Sequence, residues 1–368
     1  MTRGYDLYGA EPSYFSGKVR AYLRYKRIPF SEVLPTREVY KTVILPRVGW
    51  PVIPVVVTPE DETWQDSSEI IDNFEARFPE ASVYPDGPRQ KLAALLIEAY
   101  ADEWLKLPAM HYRWTKNRDW AVSEFGRLSR PDLDEAGQRA TGEETAKPFA
   151  GALPLLGVTP ETGPAIEASY EGLLAELDAH FAAHEFLFGS RPSIGDFGLI
   201  GPLYAHQYRD PASGEIMKQL APNVVKWVQR MMKPPHPKGG EFMGGDEVAA
   251  TLMPVLARIM REYLPVLIST AAALSAHVEA NPELIAGKEP LPRGIGRHEF
   301  TLEGTTGMRI VFPFDLWMLQ RALDFFQSLR GEQRETALAM LKNAGGERLA
   351  DFPSFPRLTR RQFQLVLE

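Results

Sequence analysis

The chain contains no cysteine. That absence excludes disulfides, zinc–thiolate centres and any thiol nucleophile supplied by the protein itself. Long apolar runs are also missing, since no stretch approaches the ~20 residues a membrane helix needs. The nearest, Leu264 to Leu274, is broken by Pro265, Ser269 and Thr270. Clustered positive charge is scarce. The 41 Lys and Arg are scattered among 48 Asp and Glu, and the net charge is −7. A nucleic-acid footprint needs basic residues gathered on one face. The densest group, Arg357-Leu358-Thr359-Arg360-Arg361, reads as a solvated tail or a helix end. Neither nucleic acid nor membrane is therefore expected as a partner. His180 and His184 have the i, i+4 spacing of a helical metal site, but no Glu follows His180. No metal is expected there. Neither a phosphate-cradling glycine loop nor a Gly-x-Ser-x-Gly elbow occurs. The opening Met1-Thr2-Arg3-Gly4-Tyr5 runs at once into a strand pattern without a secretory signal, so the expectation is a cytoplasmic protein.

What is present begins with a proline in a strand. Trp50-Pro51-Val52-Ile53-Pro54-Val55-Val56-Val57 is rich in β-branched residues and reads as a strand over 52–57. Proline cannot donate to a ladder, so Pro54 marks an edge, a strand start or a bend. An acidic turn follows at Pro59-Glu60-Asp61-Glu62. Thr63-Trp64-Gln65-Asp66-Ser67-Ser68-Glu69 then leads into a helix whose first N–H groups can bind an anion.

At 368 residues, the chain is long enough for two or three domains. The pattern predicts a strand at 5–9, a helix at 16–27, a strand at 31–34, and an irregular or weakly helical segment at 35–48. A hairpin around the acidic turn and a helix over 67–78 complete a βαβ-ββα order. Residues 84–88 form a linker, followed by a long helical pattern from Arg89 that bends at Pro108. The Gly-, Pro- and Thr-rich stretch 130–161 reads as loop and short helix. Helices are predicted over 164–183, 197–208 and 223–232. Lys233 to Gly240 is a break. Beyond it come one helix from Glu247 to Ala280 and a hairpin turning at Gly304-Thr305-Thr306-Gly307. Helices at 314–329 and 334–342 follow.

Five pieces of this order carry a resemblance to the glutathione transferase family: Tyr5-Asp6-Leu7-Tyr8-Gly9, Ser13-Tyr14-Phe15-Ser16-Gly17-Lys18-Val19-Arg20, Ile53-Pro54-Val55-Val56, Asp66-Ser67 and Ser193-Ile194-Gly195-Asp196. They span about the first two-thirds of the chain. The resemblance implies a thioredoxin-like α/β domain at 1–83 that binds glutathione and an all-helical domain at 89–233. It leaves a mostly helical C-terminal extension at 240–368 uncovered. It further implies glutathione as co-substrate, a small electrophilic second substrate and a two-fold homodimer. The family also contains members that bind without turnover.

The residues suit that ligand. Asp66 can face the γ-glutamyl ammonium, while the Ser67 hydroxyl and the helix N–H groups hold the carboxylate; the same pair also suits a helix cap. A cis Ile53-Pro54 bond, as the resemblance implies, turns the Ile53 backbone outward for a peptide to pair with. Ser13 at the first helix start suits the thiol, because a hydroxyl donor favours the thiolate. Ser16, Tyr5 and Tyr8 compete for that role, with Phe15 as a wall. The resemblance implies that Arg37, Lys41 and Trp50 border the glycyl end; solvation in a loop is the competing role for the two bases. Met110, His111, Tyr112 and Trp114 form an aromatic-rich patch, from which Met110 and Trp114 are assigned to the electrophile pocket; core packing is the competing role. Ser193 and Asp196 read as a capping box with a purely structural role.

Overall fold

Residues 4–286 and 289–368 are described by the computed structural model. Met1, Thr2 and Arg3, on which the expectation for the start of the chain partly rests, lie outside the described residues. Two compact units emerge. One comprises residues up to 83 with 108–152 and 197–240; the other comprises 84–107, 153–196 and 241–368. The residues between 84 and 240 are thus shared between the two.

In the first unit, β1 (Tyr5–Tyr8), α1 (Tyr14–Lys26), β2 (Phe30–Val33), β3 (Val55–Val57), β4 (Thr63–Gln65) and α2 (Ser67–Arg77) build a four-stranded sheet with two helices. The strand order is β2-β1-β3-β4. β1 and β2 are parallel and need a crossover, which α1 provides; the other pairs are antiparallel. This is the expected thioredoxin-like arrangement. Leu7 and the all-valine β3 are buried, as are Val19, Tyr22 and Leu23 of α1 and Ile70, Ile71 and Phe74 of α2. The two helices are tied through buried Glu75. Its carboxylate accepts from Tyr22 Oη at 2.7 Å, Lys26 Nζ at 2.9 Å and the Val83 amide at 3.1 Å. α2 stops at Arg77 because Pro79 disfavours helical geometry at Phe78.

Two segments of this unit are more helical than their composition implies. Residues 37–48 are helical throughout, with a π turn at Tyr40–Ile44, and Thr36 caps the start by accepting from the Val39 amide at 3.3 Å. The stretch 130–161, expected as loop and short helix, contains the 22-residue helix Glu135–Leu156. Gly142 in this helix and Gly126 in the one it crosses serve packing. A Cβ on Gly142 would lie 2.0 Å from the Val122 carbonyl oxygen, and one on Gly126 would lie 1.9 Å from that of Gln138. The helix therefore crosses Arg118–Ser129 backbone against backbone, which only glycine permits.

In the second unit, prolines set helix starts rather than bends. Helix Pro88–Ala99 continues as a π turn at Tyr100–Trp104, and the break falls at Leu105, not at Pro108, a residue of the first unit in the first turn of Lys106–His111. The single helix expected from Glu247 to Ala280 is two, Met253–Glu262 and Leu264–Ala280, with Pro254 and Pro265 each in a first turn. The expected hairpin pairs Arg297–Leu302 with Thr305–Ile310. It turns at Glu303–Gly304 (φ 46° and 76°), not at 304–307, because a two-residue primed turn needs two positive φ values in succession. Arg357–Arg361 is neither a tail nor a helix end. Leu358–Arg361 pairs with Gln364–Leu367 around a second turn of the same kind at Gln362 and Phe363. Helices Pro313–Ser328 and Gly331–Asn343 follow the pattern.

Buried polar groups organise this unit. Glu262 accepts from Arg258 Nη1 at 2.5 Å, Ser169 Oγ at 3.0 Å and Trp104 Nε1 at 3.2 Å. Asp246 caps helix Pro88–Ala99 from far along the chain, accepting from the amides of Arg89 at 2.7 Å and Gln90 at 2.9 Å. Among the described residues, no helix is long and apolar enough to cross a membrane.

Candidate functional site

Ser13 is the N-cap of α1 and is half-buried. Its Oγ accepts from the Ser16 amide at 3.4 Å and from the Ser16 hydroxyl at 2.9 Å. A serine oxygen has two lone pairs and one proton. Both acceptor positions of Ser13 are therefore engaged within the cap, and its own O–H remains to donate. Ser16 is fully buried and spends its proton on Ser13, so its hydroxyl does not face a ligand. Tyr5 and Tyr8 are buried, and Tyr5 packs against Phe74 at 4.9 Å within the sheet core.

The Ile53–Pro54 peptide is cis. Ile53 is half-buried, and its backbone amide and carbonyl have no hydrogen-bond partner among the described residues. β3 begins two residues later. Asp66 follows β4 with φ 77° and ψ 131°, a conformation that non-glycine residues rarely adopt. From there its Oδ1 caps α2, accepting from the amides of Ser68 at 2.9 Å and Glu69 at 3.3 Å. Ser67 is buried beside it. Just behind, the fully buried Lys18 of α1 donates from Nζ to Ser68 Oγ at 2.9 Å, which places a cation at the start of α2. Phe15 is half-buried; Arg37 and Lys41 are exposed on the 37–48 helical segment. Met110 is half-buried, whereas Trp114 is buried in an aromatic cluster, stacked on Phe149 at 5.5 Å and beside Phe125 at 5.6 Å.

Residues 7–82 match the family described as glutathione S-transferase, N-terminal domain, and residues 160–230 match glutathione S-transferase, C-terminal domain. These two segments are thus similar to the two domains of glutathione S-transferases. Among solved structures it is similar to a glutathione S-transferase from Rhodospirillum rubrum F11 (16% identity, covering 67% of this chain and 96% of that one, TM-score 0.39). It is also similar to a glutathione S-transferase from Methylobacterium radiotolerans in complex with glutathione sulfonate (21% identity, covering 63% and 91%, TM-score 0.39). A third is the β-etherase LigF from Sphingobium sp. strain SYK-6 (17% identity, covering 65% and 98%, TM-score 0.43). No curated protein matched the chain.

Two buried cations support the start of α1 and were not foreseen from the sequence. Arg113 grips the Asp210 carboxylate with Nε and Nη2, both at 2.7 Å. The same guanidinium donates to the carbonyls of Pro12 at 2.7 Å and Ala205 at 2.5 Å. Pro12 immediately precedes Ser13, so this clamp fixes the chain where it enters the cap. Burial, together with the Arg113 charge, holds the His206 imidazole well below its ordinary pKa. His206 is thus neutral. Its Nε2 accepts from Arg113 Nη1 at 2.9 Å, and its Nδ1–H donates to the Ala109 carbonyl at 3.2 Å.

The second cation, Arg20, is fully buried and bonds Glu32 through Nε at 2.7 Å and Nη2 at 2.5 Å. Its Nη1 lies 3.5 Å from Glu11, whose other oxygen accepts from the Tyr204 hydroxyl. Burial and that carboxylate push Tyr204 up to about 12, so it remains a donor at neutral pH. A signal for Lys18 and Arg20 was present in the sequence: two charges on a short helix that is otherwise largely buried. Arg113 gave none, because its partners lie 92 to 101 residues away in the chain.

Proposed function

We propose that this chain is a glutathione transferase-like enzyme in which a bound glutathione thiolate attacks an electrophilic carbon. The sulfur–carbon bond forms as the leaving group departs with its bonding pair, and the thiol proton goes to solvent. Ser13 donates to the sulfur. Ile53 pairs with the cysteinyl backbone next to Pro54. Asp66 faces the γ-glutamyl ammonium, and Ser67 with the first amides of α2 receives the carboxylate. Lys41 borders the glycyl end and Phe15 forms a wall. Met110 and Trp114 are the residues assigned to the electrophile. In this reading residues 1–83 form the glutathione-binding domain, 89–233 the helical domain and 240–368 an extension. A two-fold dimer and a cytoplasmic location belong to the same proposal.

The observation that carries the reading is the hydroxyl of Ser13. Its acceptor positions are occupied and its proton has no acceptor among the described residues, at a helix N-terminus that itself favours negative charge. A group so arranged stabilises an anion and does not act as a base. The thermodynamic task is modest: a free thiol titrates at about 8.5 and needs to be brought toward neutral pH. The strained Asp66 adds support, because residues in rare backbone conformations concentrate at ligand sites.

Calorimetric titration with glutathione, paired with ultraviolet titration of the bound thiol, tests the proposal. Binding with the thiol pKa drawn below its free value is the expected result, and undetectable binding overturns it. Turnover on a panel of electrophiles then separates the enzyme from a non-catalytic binding protein of the same fold. That second reading has one observation in its favour: Ser13 already serves the helix as its cap.

A further inference from the structure

Resting on the glutathione reading above, we infer that Ser16 is a positioning residue for the thiolate: its buried hydroxyl aims the Ser13 proton and strengthens it as a donor. Ser16 lies one turn into α1, is completely buried and cannot touch a ligand. Its hydroxyl donates to Ser13 Oγ at 2.9 Å, and its amide fills the remaining acceptor position at 3.4 Å. Were Ser16 to lose its hydroxyl, the freed lone pair of Ser13 would take a proton from solvent. The Ser13 rotor would then no longer be confined to donating outward. Donation into a hydroxyl oxygen also polarises the acceptor's own O–H, so a two-step chain is a better donor than an isolated serine.

The fold holds Ser16 in place from the opposite side as well. Gly9 follows β1 and faces it closely. A Cβ built on Gly9 would stand 2.9 Å from Ser16 Oγ and 3.0 Å from Ser16 Cβ. Any side chain at position 9 therefore displaces the relay hydroxyl without removing it. The same Cβ would lie 3.5 Å from Glu32 Oε1, the carboxylate held by buried Arg20. Glycine at position 9 thus leaves room for the serine pair beside an ion pair that fixes the neighbouring strand.

The test is the pH titration of the bound glutathione thiol in the full chain, read by ultraviolet absorbance, for wild type and three variants. Ser13→Ala removes the donor and should lower the thiolate-forming constant about ten- to a hundredfold. Ser16→Ala should lower it about two- to fivefold, with glutathione affinity at acid pH unchanged, since only the ionised sulfur senses the relay. Gly9→Ala retains both hydroxyls and should move the titration in the same direction as Ser16→Ala. The double variant Ser13→Ala/Ser16→Ala should titrate like Ser13→Ala alone, because Ser16 acts only through Ser13. A purely structural Ser16 would alter melting and leave the titration where it is. Should Ser13→Ala shift the curve while Ser16→Ala and Gly9→Ala do not, the relay is refuted and the glutathione reading stands. Should wild type show no glutathione binding, both fall together.

Discussion

Two helix starts in this molecule each pair a serine with the residue three positions on, and leave that serine in different states. At residues 193–196, Asp196 is completely buried and its carboxylate accepts from the Ser193 amide at 2.8 Å, the Ser193 hydroxyl at 2.8 Å and the Leu187 amide at 3.1 Å. The serine gives its proton to the acid, and the pair is spent on the fold. At residues 13–16 the partner is a second serine, so one proton is left over, and the capping serine is half-buried. Capping chemistry alone thus does not distinguish a folding element from a site. What distinguishes them is whether any hydrogen-bonding capacity remains once the helix is satisfied.

The contrast predicts that changes at the spent cap alter stability and that changes at the reserved one alter ligand chemistry. The largest stability effect belongs to Asp196→Ala. It strands buried donors around a removed charge and should cost about 2–4 kcal/mol, read as a lowered denaturation midpoint. A loss below about 1 kcal/mol, the level of an exposed cap, would erase the distinction.

The next effect concerns pH. Burial, with Asp315 beside it, pushes Glu103 up to about 8 against the pull of Lys106. Between its ordinary value of 4.5 and about 8, the folded chain holds a proton that the unfolded chain has lost. Stability is therefore greatest at the acid end of that window and falls as pH rises through it, by at most about 1.4 kcal/mol per pH unit. Glu103→Gln should flatten the slope in denaturant melts, with glutathione binding unchanged; equal slopes in the two proteins would contradict this.

Asp66 sharpens the comparison, because it is both a cap and strained. Asp66→Ala loses the cap and keeps a positive φ, at about 2 kcal/mol in total. Asp66→Gly loses the cap and relieves the strain, so it should be roughly 1 kcal/mol more stable than the alanine variant. Both should abolish glutathione binding if the carboxylate faces the ammonium. The smallest effect is expected at Arg357, which pairs with Asp324 and Glu368 on the surface. Arg357→Ala should change stability by less than about 1 kcal/mol, and high salt should remove even that.

Much of the sheet domain was legible because its signals are local. The valine run of β3, the proline ahead of it and the caps at Ser13 and Asp66 each act within a few residues. The helical segments were read less well, for identifiable reasons. Glycine and proline in 130–161 resemble loop residues until Gly142, with Gly126 of the helix it crosses, is seen to let two backbones touch. Pro254 and Pro265 fit a kinked helix as well as two helix starts, and only the observed break at Tyr263 decides between them.

By itself, the sequence determined the order of elements in the sheet domain, the positions of its caps and the chemical types gathered near residues 13, 53 and 66, because hydrogen bonds within one turn depend on neighbours alone. The tertiary structure decided which of those groups are spent. Ser16 is shut off from solvent by the packing, so its proton goes to Ser13. The anchoring of Pro12 depends on an arginine 101 residues away. The exhaustion of Asp196 depends on a third donor, from Leu187, outside the capping box itself. Desolvation is a property of the assembled packing, so no single stretch of sequence records it.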